Sequence, residues 1–269
     1  MASTFNFFKM QASGNDFVVV DNRKKAVKKS SEFTRKVCAL HTGVGADGVL
    51  LVEKSRKADF KMRIINADGS EAEACGNGFR CIGLFAHAQL GFPASFTFET
   101  LAGLVKASVK GKRVRVRMVK PKDLRERGHL NIGGRKLPYS FLNTGVPHAV
   151  VFTQGLDGID VNALGRAIRE HQDFKPRGTN ANFVEIKNSR EIRVRTYERG
   201  VEQETQACGT GSTASAILSA LRGHTKPPIK VHTRGGEILN IDFKINGQDI
   251  TDVDLEGEAH FVFEGKISV

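Results

Sequence analysis

Tryptophan is absent from the 269 residues, and tyrosine appears twice against 18 phenylalanines. A core must therefore be built from Phe, Val, Ile and Leu. Four cysteines are too few for a disulfide framework, and none form a CxxC pair of the kind that holds zinc. No apolar run approaches the roughly 20 residues needed to cross a bilayer. The opening MASTFNFFKMQASGNDF lacks the basic start, apolar centre and small-residue cleavage site of a secretory signal. A cytoplasmic protein with reduced thiols and no membrane association is expected. With 40% hydrophobic and 26% charged residues, disordered, collagen-like and coiled-coil classes are also excluded. The length is generous for one domain and comfortable for two of about 130 residues each.

What is abundant is glycine, at 28, and positive charge, with 41 Lys and Arg against 29 Asp and Glu for a net +12. A basic surplus can signal nucleic acid, an acidic membrane or an anionic substrate. Most of it lies between Lys106 and Arg127, where ten basic residues face only Asp123 and Glu126. Within this stretch Arg113-Val-Arg115-Val-Arg117 alternates strictly, the pattern of a strand with one wet and one buried face. No aromatic residues interleave as a base-stacking platform. A solvated strand face is therefore expected in preference to a nucleic-acid-binding module, and no nucleic-acid partner is assigned.

The chain echoes itself. Gln206-Ala-Cys208-Gly-Thr-Gly211 repeats Glu73-Ala-Cys75-Gly-Asn-Gly78 at close to half the chain length. Gly145-Val-Pro-His-Ala-Val-Val151 repeats Gly14-Asn-Asp-Phe-Val-Val-Val20 at nearly the same separation. Two matching offsets imply two domains of one topology, not a solenoid. We expect a mixed α/β (α+β) protein with one domain over residues 1–119 and another over 120–254. The boundary falls near Pro121, and a last strand at about 255–269 is free to return to the first domain. Each half reads as an apolar strand, a helix (Glu32 to His41; Val161 to His171), two more strands and the CGxG turn. An all-round apolar helix follows (Phe79 to Leu90; Ser212 to Leu221), then alternating strands.

A Cys-Gly-polar-Gly turn before a helix has specific chemistry. Its glycines let a ligand approach the backbone. The first helical turn offers unpaired N–H groups at the positive end of the dipole, which suits a carboxylate. A cysteine there has a stabilised thiolate, its pKa drawn from about 8.5 towards neutrality. Two such turns suggest a thiol on each side of a cleft: one thiolate removes an amino-acid α-proton and the other thiol returns one to the opposite face. N–H donors aimed at the carboxylate stabilise the carbanion. No lysine context suggests a pyridoxal Schiff base, and neither a cofactor nor a metal is expected.

The motifs resemble those of the diaminopimelate epimerase family. They are Phe8-Lys-Met-Gln-Ala-Ser-Gly-Asn15-Asp-Phe17, Gly43-Val-Gly-Ala-Asp47-Gly48, Met62-Arg-Ile-Ile-Asn66-Ala-Asp-Gly-Ser-Glu71 and Ala74-Cys75-Gly-Asn-Gly-Phe-Arg-Cys81. The second half adds Thr144-Gly-Val-Pro-His148, Gly178-Thr-Asn180-Ala-Asn-Phe183, Tyr197-Glu-Arg199-Gly and Ala207-Cys208-Gly-Thr-Gly211. They occur in family order across nearly the whole chain. The resemblance implies two pseudo-symmetric domains, each a strand-rich barrel around a central helix, with the active site in the interdomain cleft. It implies cofactor-independent conversion of L,L-diaminopimelate to the meso form, in lysine and peptidoglycan precursor synthesis, by a homodimer. It makes Cys75 and Cys208 the bases. Backbone N–H groups of Gly76, Asn77, Gly209 and Thr210 would hold the reacting carboxylate. Asn15, Asn66, Asn180, Glu198 and Arg199 would bind the substrate's amino and carboxylate groups. His148 and Glu198 would tune the thiols.

Some positions depart from the family. Gln11 stands where many members have His, Val146 where many have Asn, and Gly48 where some have Gln. Proline racemases resemble the pattern but usually carry His after the first Cys-Gly, where this chain has Asn77; phenazine-type relatives lack the paired cysteines. Other residues read as structural. Cys38 and Cys81 are expected in the core, Asn182 as a turn former, and Asp16 and Asp47 as turn or capping residues. Gly43 to Gly48 matches GxGxxG but precedes a strand, which argues against a dinucleotide site. A bridge between Cys75 and Cys208 would be oxidative inactivation, not framework.

Overall fold

Unbroken apolar runs set the architecture. In the computed structural model, which describes residues 3–247 and 249–269, Phe17 to Val20 lies in a strand buried on both faces. Alternate side chains serve opposite cores: Phe17 and Val19 one, Val18 and Val20 the other. Such unbroken apolar strands belong inside a sheet covered on both sides. The chain divides into two compact units, Met1–Val116 with Gly257–Val269, and Arg117–Glu256.

The first unit runs β1 (Thr4–Ala12), β2 (Asn15–Asp21), α1 (Ser30–Cys38), β3 (Gly48–Glu53), β4 (Phe60–Asn66) and β5 (Glu71–Ala72). It continues with α2 (Gly76–Leu90), β6 (Ser95–Thr100), β7 (Gly103–Lys110) and β8 (Arg113–Arg117). The second runs β9 (Lys122–Ile132), β10 (Arg135–Asn143), β11 (Pro147–Phe152), α3 (Val161–Arg169), β12 (Asn180–Asn188) and β13 (Glu191–Glu198). Then come β14 (Gln203–Thr205), α4 (Gly209–Leu221), β15 (Ile229–His232), β16 (Ile238–Asn246) and β17 (Asp249–Glu258). The chain finally returns as β18 (His260–Ser268), which pairs antiparallel with β1.

Pairing repeats strand for strand. In the first unit β2 is parallel to β3, β3 antiparallel to β4, β4 parallel to β6, and β6 antiparallel to β7. In the second, β11 is parallel to β12, β12 antiparallel to β13, β13 parallel to β15, and β15 antiparallel to β16. The expected duplication of a mixed α/β unit is thus present. Apolar residues of β1 to β4 and β6 to β8 surround α2, and those of β10 to β13 and β15 to β17 surround α4. The opposite sheet face is covered by Phe33 and Val37 of α1 in one unit and by Val161 and Ile168 of α3 in the other.

The helices differ from expectation at their ends. α1 stops at Cys38 instead of His41, because the amides of Val44 and Gly45 take the carbonyl of Val37 and that of Ala46 takes Cys38. α3 stops at Arg169 instead of His171, and a short 3-10 turn, Gln172–Phe174, follows. α2 and α4 start three residues earlier than their apolar runs, directly after Cys75 and Cys208. Gly43 to Gly48 leads from α1 into β3 and opens no helix. In β8 the three arginines are exposed while Val114 and Val116 are buried, as the alternation requires. Cys38 and Cys81 are core residues, and burial raises the Cys38 thiol to about 11, which keeps it protonated.

Candidate active site

Each central helix begins on a cysteine in extended conformation: Cys75 is the N-cap of α2 and Cys208 that of α4. The carbonyls of these cysteines accept the first helical bonds, from Phe79 N and Ser212 N, both at 2.8 Å. The amides of the intervening residues head the helix, where the dipole favours negative charge. These residues are Gly76 and Asn77 in one turn and Gly209 and Thr210 in the other. Gly78 N donates to Cys75 Sγ at 3.4 Å, and Cys208 Sγ lies 3.4 Å from Thr210 Oγ1. Asn77 is buried with its Oδ1 lacking a protein partner among the described residues.

Around the first turn, Cys75 Sγ donates to Asn15 Oδ1 at 3.6 Å. Asn15 is oriented by its own amide nitrogen, which donates to Asp47 Oδ2 at 2.5 Å. A carboxylate only accepts, so Asn15 Oδ1 is the atom left for the sulfur. Asp47 is held by Asp16, whose main-chain N–H donates to Asp47 Oδ2 while its Oδ1 accepts from Asp47 N. Asp16 also pairs with buried Lys9 at 2.5 Å, and Lys9 Nζ donates to the Gly45 carbonyl. Asp16 and Asp47 therefore brace Asn15 besides shaping their loops. Buried Arg80 donates to Gly76 O and to Ser13 Oγ, tying the turn to the β1–β2 loop. Asn66 lies at the exposed end of β4, its Nδ2 donating to Ser70 Oγ.

Around the second turn, Thr144 Oγ1 donates to Thr210 O at 2.9 Å and Thr213 Oγ1 to Gly209 O at 2.9 Å. Buried Asn180 accepts from Arg199 N at 2.8 Å and donates to Pro147 O at 3.0 Å, joining the strands that carry His148 and Glu198. Burial raises the Glu198 carboxyl above its ordinary value. His148 is fully buried, and burial together with the Arg199 charge lowers it to about 3, so its imidazole is neutral. It bonds to Asn182, which is also fully buried. Asn182 is no turn former: it sits inside β12. A buried amide in the apolar run Ala-Asn-Phe-Val was the signal that could have found it.

Two of the departures have local explanations, and nothing in the structure explains Val146. Gln11 Oε1 accepts from Gly14 N at 3.2 Å, closing the turn in which Ser13 and Gly14 both have positive φ. A Cβ on Gly48 would lie 2.6 Å from the Ile65 carbonyl oxygen, so β3 meets β4 too closely for a side chain there. Among the described residues no cluster of His, Cys, Asp or Glu has the form of a metal site, and no helix is long and apolar enough to cross a membrane.

The fold is shared with solved structures of a Bacillus anthracis phenazine biosynthesis protein of the PhzF family and a probable proline racemase from Agrobacterium radiobacter. The first superposes with a TM-score of 0.74 at 18% identity, covering 99% of this chain and 100% of that one. The second gives 0.72 at 16%, covering 98% and 92%. The chain thus has the duplicated architecture of that fold class, with a cysteine capping each central helix. The family model described as diaminopimelate epimerase matches residues 7–123 and 140–262. Proteins named diaminopimelate epimerase from Aquifex aeolicus and Chlorobaculum tepidum are 47% and 39% identical to this chain, each over 97% of it and over 97% and 100% of their own length. The chain belongs to the diaminopimelate epimerase family and is an isomerase.

Proposed function

We propose that the protein converts L,L-2,6-diaminopimelate to the meso form with Cys75 and Cys208 as its two bases and no cofactor. One sulfur, as thiolate, takes the α-proton, and the C–H electron pair passes into the carboxylate as an enediolate. The other sulfur, as thiol, gives its proton to the opposite face, so the two sulfurs exchange protonation states in each turnover. The α-proton is weakly acidic, so charge developing on the carboxylate must be met by fixed donors. The amides of Gly76, Asn77, Gly209 and Thr210 supply them. Asn15, Asn66, Asn180, Glu198 and Arg199 bind the substrate's amino and carboxylate groups, and His148 and Glu198 tune the thiols. The enzyme works in the cytoplasm as a homodimer, supplying lysine and peptidoglycan precursors.

The chief support is the repeated N-cap cysteine, one on each central helix. Reduced protein incubated with L,L-diaminopimelate in deuterium oxide is expected to form the meso isomer with deuterium at the inverted α-carbon. Absence of both exchange and inversion would refute the assignment. Sedimentation velocity tests the homodimer separately.

A further inference from the structure

His148, Asn182 and Thr196 form a buried polar trio in the second unit. Strand register identifies their counterparts in the first. Phe17 faces Gly48 as His148 faces Asn180, and Leu50 faces Ile64 as Asn182 faces Thr196. The places of His148, Asn182 and Thr196 are thus held by Phe17, Leu50 and Ile64, all in the apolar core about α2. A fold that closes with hydrocarbon at these positions has, in one unit only, taken on the cost of burying polar groups.

The hydrogen bonds of the trio have one direction. Thr196 Oγ1 donates to Asn182 Oδ1 at 3.0 Å. The Asn182 Nδ2 group lies 3.1 Å from the Ala149 carbonyl and 3.1 Å from His148 Nδ1. A main-chain carbonyl can only accept, so the amide nitrogen is the atom that faces both, and Nδ1 must accept as well. A neutral imidazole that accepts at Nδ1 carries its proton on Nε2. We infer that Asn182 is a positioning residue that holds His148 as the neutral Nε2–H tautomer, so that His148 serves the reaction as a fixed hydrogen-bond donor and not as a proton-transfer base.

Two further observations bear on this. His148 Nε2 is buried with no acceptor among the described residues, and leaving such a donor unpaired is costly. A carboxylate of an amino-acid ligand is an acceptor that suits it, the more so beside the Arg199 charge that already disfavours imidazolium. The same amide also shapes the cysteine turn. A Cβ on Gly211 would fall well inside van der Waals distance of Asn182 Oδ1 and 3.3 Å from Cys208 Sγ. Asn182 thus lies against both His148 and the first turn of α4. The inference rests on the proposed function only in placing His148 at the site of reaction.

The test is the nitrogen-15 spectrum of the full-length labelled protein without substrate, with His148→Gln identifying the signals. A pyrrole-type Nε2 and a pyridine-type Nδ1, unchanged across the neutral range, are expected. In Asn182→Asp the carboxylate cannot donate and accepts from Nδ1–H, so the tautomer should switch. Turnover should then fall about tenfold to a hundredfold through misalignment of the donor, with a smaller change in KM. Asn182→Leu, the residue of the first unit, should remove the tautomer preference with the fold retained by circular dichroism. A wild-type spectrum with the proton on Nδ1, or an imidazolium near neutrality, overturns the inference even if the variants do not fold. So does Asn182→Asp with an unchanged spectrum and unchanged turnover. Substrate deuteration by the wild-type protein separates this failure from failure of the proposed function.

Discussion

The two units share one path of the backbone and differ in how they support its cysteine turn. At the fifth residue after each cysteine, Arg80 braces Gly76 O in the first unit, and Thr213, a much smaller side chain, braces Gly209 O in the second. The wall behind the turn is hydrocarbon in one (Phe17, Leu50, Ile64) and a hydrogen-bonded trio in the other (His148, Asn182, Thr196). Strand pairing depends on main-chain groups that every residue carries, so it survives such exchanges; the electrostatics beside the sulfur do not. The comparison teaches that symmetry of fold is compatible with asymmetry of chemistry, as a centre with two different faces requires.

The comparison breaks most sharply at the thiols. Cys75→Ala and Cys208→Ala should each lower epimerisation by about a hundredfold to ten-thousandfold, the usual contribution of a positioned acid or base. Wild-type turnover in either variant, measured by the loss of the L,L substrate's circular dichroism as the optically inactive meso product forms, would leave the two turns as an ornament of duplication. Next in size is the wall. Leu50→Asn puts an amide among hydrocarbon, and should cost about 2–5 kcal/mol in urea denaturation, from lost packing and an unpaired polar group. Fully retained stability would mean that the first unit can supply hydrogen bonds there.

The turn glycines sharpen the contrast further. Gly211→Ala should destabilise by about 1–3 kcal/mol through overpacking against Asn182, and the loss should shrink in an Asn182→Ala background. At Gly78 the nearest atoms to a Cβ are Met62 Cε at 3.3 Å and Leu50 Cδ2 at 3.4 Å, flexible side-chain ends. There the strain is offset by a helix-propensity gain of up to about 1 kcal/mol, so Gly78→Ala should be close to neutral. Equal thermal shifts in the two variants would contradict this.

The two walls also differ in pH dependence. His148 is lowered from 6.5 to about 3, so below pH 6.5 the unfolded chain binds a proton that the folded one refuses. Its stability contribution is intact above 6.5 and declines as pH falls towards 3, by at most about 1.4 kcal/mol per pH unit. Glu198 has the opposite sign: its raised carboxyl favours the fold at low pH, a contribution lost as pH rises through its folded value. His148→Gln should therefore flatten the acid limb of a stability–pH curve, while Glu198→Gln should flatten the decline on the rising side. An unchanged acid limb in His148→Gln would contradict the burial of a neutral imidazole.

The sequence carried the duplication because glycine-bearing turns recur at one spacing, and it carried the central helices because they are apolar on all sides. Helix ends were less legible. The stop at Cys38 depends on amides of the loop at Val44 to Ala46 folding back on the last turn, which no local pattern encodes. Supporting residues were hardest. Asp47 reaches Asn15, and Asn182 reaches His148, only after strands distant in sequence have paired in one register. A polar residue inside an apolar run marks a place to look, but its partner is a matter of topology.

Because β18 completes the first unit beside β1, a unit begun before the second is finished after it. Everything from Arg117 to Glu256 has been synthesised before that edge can close. The second unit can gather its strands in order of appearance, while the first must wait with β1 uncovered on one side. Removing the stretch from residue 257 onward would therefore injure the half of the molecule that lies farthest from it in the gene.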